Sequence, residues 1–342
     1  MKIGLVGYQG SGKSTLFEWL TGVTADPAQA HTSQNAMATV PEPRVAQLCE
    51  IYHPKKITMA ALELVDTPGL ARDHSGNAAR LALIREAGCL VFVIPGFAGR
   101  DPLTDLNSFA EDLLMADLEV VTNRVERLRE ALKKPRPNRG EQEVELKAID
   151  PILSHLESGR PLTEMTLNEE QQKAIRSFCL LTEKPRLAIV NVADDDTDLA
   201  RFQSTSTDSL PIIGVPVGLE TELLRMAPEE RDEFRNEMGG ATVDRDALIR
   251  SIMSASGQML FFTAGEKEVR TWMIRRGGTA LEAADGIHSD LARGFIRAEV
   301  MNCEDLVRLG SERELKAAGL VRQEPKDYVI QDGDIINIRF SV

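Results

Sequence analysis

Gly7-Tyr8-Gln9-Gly10-Ser11-Gly12-Lys13-Ser14 fills every fixed position of the pattern G-x-x-x-x-G-K-[ST]. Glycines let a backbone curl until several N–H groups point at one anion, and a following helix adds the positive end of its dipole. In that arrangement Gly7, Gln9, Gly10, Ser11, Gly12 and Thr15 cradle phosphate, Lys13 reaches the β- and γ-phosphates of a nucleoside triphosphate, and the Ser14 hydroxyl ligates Mg²⁺. Further along, Asp66-Thr67-Pro68-Gly69 has the form D-x-x-G. Its carboxylate can hold the same metal through water, and the Gly69 N–H can sense the γ-phosphate. Between the two lies a polar stretch without glycine, Ala30-His31-Thr32-Ser33-Gln34-Asn35, with the composition of a mobile loop. A threonine there would complete the metal shell when the γ-phosphate is present. Thr32 is the candidate, with Ser33 and Thr39 as rivals; an ordinary solvated loop residue is the competing reading for each.

Where a glutamine would orient the attacking water, the chain has Leu70, and leucine makes no hydrogen bond. The chemistry expected of Lys13, Asp66, Gly69 and Leu70 is therefore slow hydrolysis that rests on phosphate positioning, backbone groups, an ion or a partner. His74 could act as a base, but nothing in the sequence fixes it near water or phosphate, and a solvated loop histidine is the simpler reading. Asn191-Val192-Ala193-Asp194 follows another apolar run where guanine-specific switches carry N-K-x-D, with Val192 in place of lysine. The base therefore stays open between ATP and GTP, since adenine offers one donor on the edge where guanine offers two. Gly218 joins the expected nucleotide-binding residues.

These residues need elements to hold them. Ile3, Leu5 and Val6 read as a short strand before the glycine-rich turn, and Thr15 to Leu20 as a helix ended by Thr21-Gly22. Ala61 to Val65, Leu90 to Ile94 and Arg186 to Val190 are further strands, which together make an α/β P-loop domain of the Ras-like switch type. Leu114, Leu118, Val121, Val125, Leu128 and Leu132 recur at the spacing of a coiled-coil seam. Lys133 to Gly140 breaks any helix, and the pattern resumes at Leu146, Ile149, Leu153 and Leu156. A helical coiled-coil hairpin thus interrupts the nucleotide domain. Its tip holds Arg124, Arg127, Arg129, Lys133, Lys134, Arg136 and Arg139 against Glu126 and Glu130, which suits phosphate contact such as ribosomal RNA or, equally, a solvated surface. After an acidic, helix-like segment from Glu220 to Arg235 and a Gly239-Gly240 break, Lys267 to Ile274 alternates like a strand. Thr279-Ala280-Leu281-Glu282 is a capping box, and Asp332-Gly333 turns between two alternating runs that end at Phe340. That order suggests a ubiquitin-like β-grasp fold. The expected domains are 1–105 with 183–256 for the nucleotide, 106–182 for the helical insertion and 257–342 for the final domain.

Composition sets the outer limits. A chain of 342 residues with 42% hydrophobic content has material for two or three cores. Its net charge of −13 argues against coating nucleic acid with the whole surface, so any RNA contact is local. No run approaches the roughly 18–20 apolar residues of a membrane helix and no signal pattern follows Met1, which points to the cytoplasm and away from the membrane. Cys49, Cys89, Cys179 and Cys303 are far apart and read as reduced, buried thiols.

Over nearly its full length the chain resembles the YchF-type Obg-like ATPases. The residues that carry the resemblance are Gly7 to Thr15, Val40-Pro41-Glu42-Pro43-Arg44, Asp66 to Leu70, Asn191-Val192-x-Asp194, Phe261 to Arg270, Gly294 to Glu299 and Lys326 to Asp334. The resemblance implies Mg²⁺-dependent hydrolysis of ATP or GTP, a hydrophobic residue for the catalytic glutamine, and a C-terminal TGS domain associated with RNA or ribosome contact. Three positions depart from it: Asp194 stands where the family has Glu, Gly10 where related loops carry Asn, and the segment Ala71 to Asn77 is shorter than the family's glycine-rich loop. A nucleotide-gated binding protein with negligible hydrolysis is the alternative from another class, and a P-loop kinase a third.

Overall fold

The computed structural model describes residues 1–341 except 30, 98, 100, 134–136, 206, 208, 209, 228, 232 and 235–242. Of the residues singled out above, Ala30, Lys134, Arg136, Arg235, Gly239 and Gly240 lie outside the described residues. The chain divides into two units: Met1–Ala36 with Glu63–Asp244, and Met37–Leu62 with Arg245–Val342. In chain order the elements are β1 (Lys2–Val6), α1 (Lys13–Thr21), β2 (Gln34–Thr39), α2 (Arg44–Tyr52), β3 (Ile57–Thr58), β4 (Ala61–Asp66), α3 (Asn77–Arg85), β5 (Cys89–Pro95), α4 (Pro102–Leu132) and α5 (Arg139–Glu157). There follow α6 (Glu169–Ile175), β6 (Arg186–Asn191), β7 (Ile212–Val215), α7 (Val217–Arg225) and α8 (Arg245–Ala255). The chain closes with β8 (Gln258–Ala264), β9 (Val269–Arg275), α9 (Ala280–Ile287), α10 (Ser289–Arg293), β10 (Phe295–Asn302), α11 (Cys303–Leu309), α12 (Glu312–Ala317), β11 (Arg322–Glu324) and β12 (Asp334–Phe340).

In the first unit, β5 is buried at every residue, as a central strand covered on both faces requires. The sheet order is β2-β4-β1-β5-β6-β7, with β1 parallel to β4 and β5, β5 to β6, and β6 to β7. β1 lies between neighbours that come later in the chain on either side, so the loops after β1 and β4 open at a topological switch point, where α/β sheets bind ligands. Both phosphate motifs sit there. The loop expected over Ala30 to Asn35 is shorter than anticipated, because Gln34 and Asn35 already belong to β2.

α4 and α5 pack on each other through Val121, Val125, Leu128, Ile149, Ile152, Leu153 and Leu156, with Leu114, Leu118 and Leu146 half-buried against them. α4 starts at Pro102, inside the range expected for the nucleotide domain, because the Asp101 carboxylate caps it by accepting from the Thr104 N–H at 2.9 Å. At its base Asp117 is wholly buried. Its carboxylate accepts from the N–H groups of Leu181 (3.0 Å) and Thr182 (2.7 Å), the Thr182 hydroxyl (2.9 Å) and the Arg85 guanidinium (2.7 Å). This fully bonded charge ties α4 to α3 and to the segment leading into β6.

The second unit holds the sheet β11-β10-β12-β8-β9-β3. β8 and β9 form an antiparallel pair, β12 runs parallel to β8, and β10 is antiparallel to both β12 and β11. α9 opens with the expected capping box, Thr279 and Glu282 each bonded to the other's backbone. The boundaries 1–105 and 257–342 need correction. Residues 37–62 join the second unit, because Ile57 pairs with Val269, and Val45 and Leu48 of α2 enter an apolar cluster with Phe262, Met301, Leu306 and Ile335. Arg44 secures that segment: it pairs with Glu42 (2.7 Å) and Asp332 (3.0 Å), and its guanidinium lies 5.2 Å over the Phe262 ring. The unit also begins earlier, at Arg245, with Leu248, Ile249 and Ile252 of α8 buried. Asp332-Gly333 is not a hairpin turn. β10 separates β11 from β12, and the run before Asp332 is a loop closed on the Asp334 carboxylate by the Tyr328 hydroxyl and the Gln331 N–H, each at 2.9 Å.

The four cysteines are all free. Cys89 and Cys303 are buried as expected, Cys49 is half-buried, and Cys179 is exposed in a left-handed conformation after a short helical turn. Among the described residues no helix is long and apolar enough to cross a membrane.

Replacing Asp117 by alanine strands the Arg85 charge and three further donors, so unfolding free energy should fall by about 3 kcal/mol in denaturant titrations; a loss within experimental error of zero contradicts the anchoring role.

Candidate functional site

The turn after β1 and the turn after β4 are bonded to each other through their backbones. The Leu70 N–H donates to the Gly7 carbonyl and the Gln9 N–H to the Leu70 carbonyl, both at 3.0 Å. So close an approach excludes a side chain on Gly69, whose Cβ would fall 2.8 Å from the Gln9 nitrogen and from Lys13 Nζ. Gly12, at φ 95°, caps α1 without any side-chain bond, and a Cβ there would lie 2.2 Å from Asn191 Nδ2. The first N–H groups of α1 are therefore left to an outside acceptor.

Around these turns lies a cavity of about 430 Å³ whose lining includes Gln9, Gly10, Lys13, Ser14, Thr32, Asp66, Gly69 and Arg80. Lys13 is buried, and Nζ donates to the Tyr8 carbonyl at 2.8 Å. Burial pushes its ammonium down to about 8, with the Asp66 carboxylate holding it back from going lower. Burial likewise raises Asp66 above the usual carboxylate range, against the opposing pull of the Ser14 hydroxyl and of Lys13. Ser14 Oγ donates to Asp66 Oδ2 at 2.5 Å, while the buried Oδ1 has no hydrogen-bond partner. A hydroxyl and a half-satisfied carboxylate side by side fit a hard cation such as Mg²⁺, which takes few protein oxygens and completes its shell with water and phosphate. Among the described residues no cluster of three His, Cys, Asp or Glu offers a metal site of another kind.

A second cavity of about 630 Å³ shares Gly10, Lys13 and Ser14 with the first and continues over Gly12, Thr15, Phe97, Val192, Ala193, Asp194 and Gly218. Asn191 braces it: Nδ2 donates to the Ser11 carbonyl and Oδ1 accepts from the Val217 N–H, both at 3.2 Å. Asp194 Oδ1 accepts from the Leu219 N–H at 2.9 Å, at the first turn of α7, and a Cβ on Gly218 would meet that same oxygen at 2.9 Å.

The structure sorts the candidates. Gln9, Gly10, Gly12, Lys13, Ser14, Thr15, Thr32, Asp66, Gly69, Val192, Asp194 and Gly218 line one or other cavity. Gly7 and Ser11 lie beneath the loop, Gly7 close against the Val93 carbonyl and Ser11 wholly buried. Of the three hydroxyl candidates Thr32 alone lines the cavity, where its hydroxyl donates to the Gln29 carbonyl at 3.0 Å; Thr39 is exposed within β2. Leu70 lines neither cavity: its side chain is 1% exposed and packs with Val6, Tyr8 and Phe92, because an apolar chain next to a wet cavity partitions into the core. Val192 is also buried in that cluster, so it shapes the wall and does not stack as a lysine stem would. His74 is exposed, faces Asp112 Oδ1 at 3.8 Å and does not line the cavity.

Several residues escaped the sequence reading. Phe97, 49% exposed, brings an aromatic face to the second cavity. Tyr8, in a variable position of the glycine-rich motif, donates to Asp112 of α4 at 2.7 Å and carries the Arg72 guanidinium 4.2 Å over its ring. Burial and the Asp112 charge raise the Tyr8 hydroxyl well above its ordinary range. Arg72 is itself paired with Asp105 of α4 at 2.7 and 3.0 Å. An exposed aromatic just after a buried strand was the one available signal for Phe97; the pairings cross too much chain to be read beforehand.

A glycine-rich turn and D-x-x-G turn at the switch point of a parallel sheet, with lysine, serine and aspartate in one cavity, define a P-loop nucleoside triphosphatase. A family described as 50S ribosome-binding GTPase matches residues 2–124, and the YchF GTPase C-terminal family, described as a protein of unknown function, matches residues 259–341. The ribosome-binding ATPase YchF of Bacillus subtilis is 33% identical over 365 residues, covering 99% of each chain. Obg-like ATPase 1 of Oryza sativa (japonica) is 34% identical over 372 residues, covering 100% of this chain and 92% of the relative. The solved structure of the Schizosaccharomyces pombe YchF GTPase superposes with a TM-score of 0.83 at 27% identity, over 99% of this chain and 97% of that one. The chain belongs to the YchF family.

Because free Lys13 titrates near 8 and bound phosphate oxygens must raise that value, nucleotide binding above pH 8 takes up a proton. Affinity should weaken by up to about tenfold per pH unit above pH 8. Calorimetry at pH 8.5 in buffers of different ionisation enthalpy measures the uptake, and proton release there contradicts the assignment.

Proposed function

We propose that the chain is a nucleotide-state switch that hydrolyses ATP or GTP with Mg²⁺ and works with the ribosome. The observation that carries this reading is the grouping of Lys13 Nζ, the Ser14 hydroxyl, the unpartnered Asp66 Oδ1 and the Gly69 backbone around one cavity. Ser14 and Asp66, with Thr32 when the loop closes on a γ-phosphate, would hold the metal, which when bound neutralises phosphate charge. Lys13 and the N–H groups of Gly10 to Thr15 bind and orient the β- and γ-phosphates, and Gly69 senses the terminal one. The second cavity takes the base, with Phe97 against its face and Asp194 at its edge.

Adenine is the favoured base. One Asp194 oxygen is already engaged by the Leu219 N–H, which suits adenine's single exocyclic donor better than guanine's pair. The names of the Bacillus and Oryza relatives, both ATPases, agree.

The ribosomal part of the reading has two supports. The Bacillus relative is named for ribosome binding. Arg124, Arg127, Arg129 and Lys133 line the distal part of α4 and the turn beyond it, Arg124, Arg129 and Lys133 paired with Glu145, Asp150 and Glu130; RNA phosphates would have to compete for those three. The strand order of the second unit, with α9 between β9 and β10 and β12 parallel to β8, supports a β-grasp fold and the TGS assignment. A ribosome-associated role would be exercised in the cytoplasm.

Titrating ATP and GTP against the purified chain, with and without Mg²⁺, tests the core of this. ATP should bind more tightly than GTP and depend on Mg²⁺, and Lys13→Ala should lose measurable turnover, as removal of the main cation on the phosphates requires. Tighter GTP binding overturns the base assignment, and Mg²⁺-independent affinity the metal site. If guanine is the ligand after all, Asp194→Asn weakens GTP by more than it weakens ATP.

A further inference from the structure

With Leu70 buried among apolar side chains, the loop from Leu70 to Gly76 brings no side chain to the cavity of Lys13 and Asp66. The next helix does. Asn77, the first residue of α3, closes the turn behind Leu70: its Oδ1 accepts from the Ala71 N–H at 2.8 Å and its Nδ2 donates to the Ala71 carbonyl at 2.9 Å. One helical turn on, Arg80 Nη1 donates to that same Oδ1 at 3.2 Å and to the Ser75 carbonyl at 3.3 Å, and the side chain lines the cavity of Lys13, Ser14, Asp66 and Gly69. Its remaining N–H donors bond to no described residue. Its nearest counterparts are committed elsewhere: Arg72 to Asp105 and the Tyr8 ring, Arg85 to Asp117. Among the described residues Arg80 makes no ion pair with a carboxylate, so its charge faces an anion cavity uncompensated.

We propose that Arg80 is a catalytic residue of this triphosphatase, an arginine supplied by the chain itself to the transferred phosphoryl group. The proposal rests on the hydrolase reading above and adds to it the group that replaces the missing glutamine. In the reaction the water oxygen bonds to the γ-phosphorus as the bond from that phosphorus to the β–γ bridging oxygen breaks. The electron pair stays on the nucleoside diphosphate, and the water's protons leave on inorganic phosphate and to solvent. Negative charge shifts toward the bridging oxygen while the γ-oxygens reorganise, and a guanidinium already held in place stabilises that distribution more than the ground state. Arg80 moves with Asn77, which is locked to Ala71, so a γ-phosphate that engages Gly69 brings its own cation into register.

The test compares wild type, Arg80→Ala and Arg80→Lys in single-turnover hydrolysis with Mg²⁺, alongside affinities for a non-hydrolysable triphosphate and for the diphosphate with aluminium fluoride. Arg80→Ala should turn over between about ten and a thousand times more slowly, with triphosphate-analogue affinity within about threefold of wild type. Aluminium fluoride complex affinity should fall in step with the rate, and Arg80→Lys should recover only part of both, lacking the planar fork. An alanine variant that hydrolyses at the wild-type rate overturns the proposal and leaves the hydrolase reading intact. So does one whose loss of analogue affinity matches its loss of rate, since Arg80 then only binds. A wild-type chain without turnover overturns both readings together.

Discussion

Everything at the phosphate end depends on two backbone turns being allowed to touch. Leu70 and the residues on either side of Tyr8 exchange main-chain hydrogen bonds as neighbouring strands do, although both segments are loops. That contact is possible because Gly69 has no side chain to put between Gln9 and the Lys13 ammonium. It also decides where Lys13 goes, since a lysine held under its own loop must shed water and become a weaker base. The Asp66 carboxylate, pushed the other way by the same burial, sits beside it with one oxygen unsatisfied. Burial thus works against both signs of charge here, and a triphosphate with a divalent cation, as proposed above, would offset both at once.

A second connection runs outward from the same turn. Tyr8 reaches α4 through Asp112, and Arg72 reaches it through Asp105 while lying on the Tyr8 ring. The loop that would grip phosphate, the loop that would sense it and the root of the long helix therefore share one cluster of aromatic, cationic and anionic groups. Asp117, further along α4, fixes the helix to α3 and to the segment leading into β6.

Local chemistry was legible from the chain alone, and pairing across distance was not. The spacing from Gly7 to Ser14, the carboxylate at the end of β4 and the heptad-like recurrence in α4 and α5 are short-range patterns, each dictated by the backbone period it serves. The capping box at Thr279 and Glu282 belongs to the same class. By contrast, Leu70 was judged by the residue it replaces, and only its packing shows the side chain turned into the core. Asp332-Gly333 carries the composition of a hairpin turn, yet the run before it is a loop bonded to the Asp334 carboxylate, and β12 pairs with β10 and β8. Phe97 and Arg80 had no periodic or motif signal, because what matters about each is a cavity assembled from remote segments.

The interleaving of the two units bears on how such a chain must be made. Val45, Leu48 and the edge residues Ile57 and Thr58 leave the ribosome early, whereas Phe262, Val269 and Ile335, against which they are buried or paired, come far later in the chain. During synthesis the apolar face of a helix and a bare strand edge wait for some two hundred residues to be added before they can be covered. The acidic character of the whole chain, by keeping nascent copies apart, offers a measure of protection across that interval.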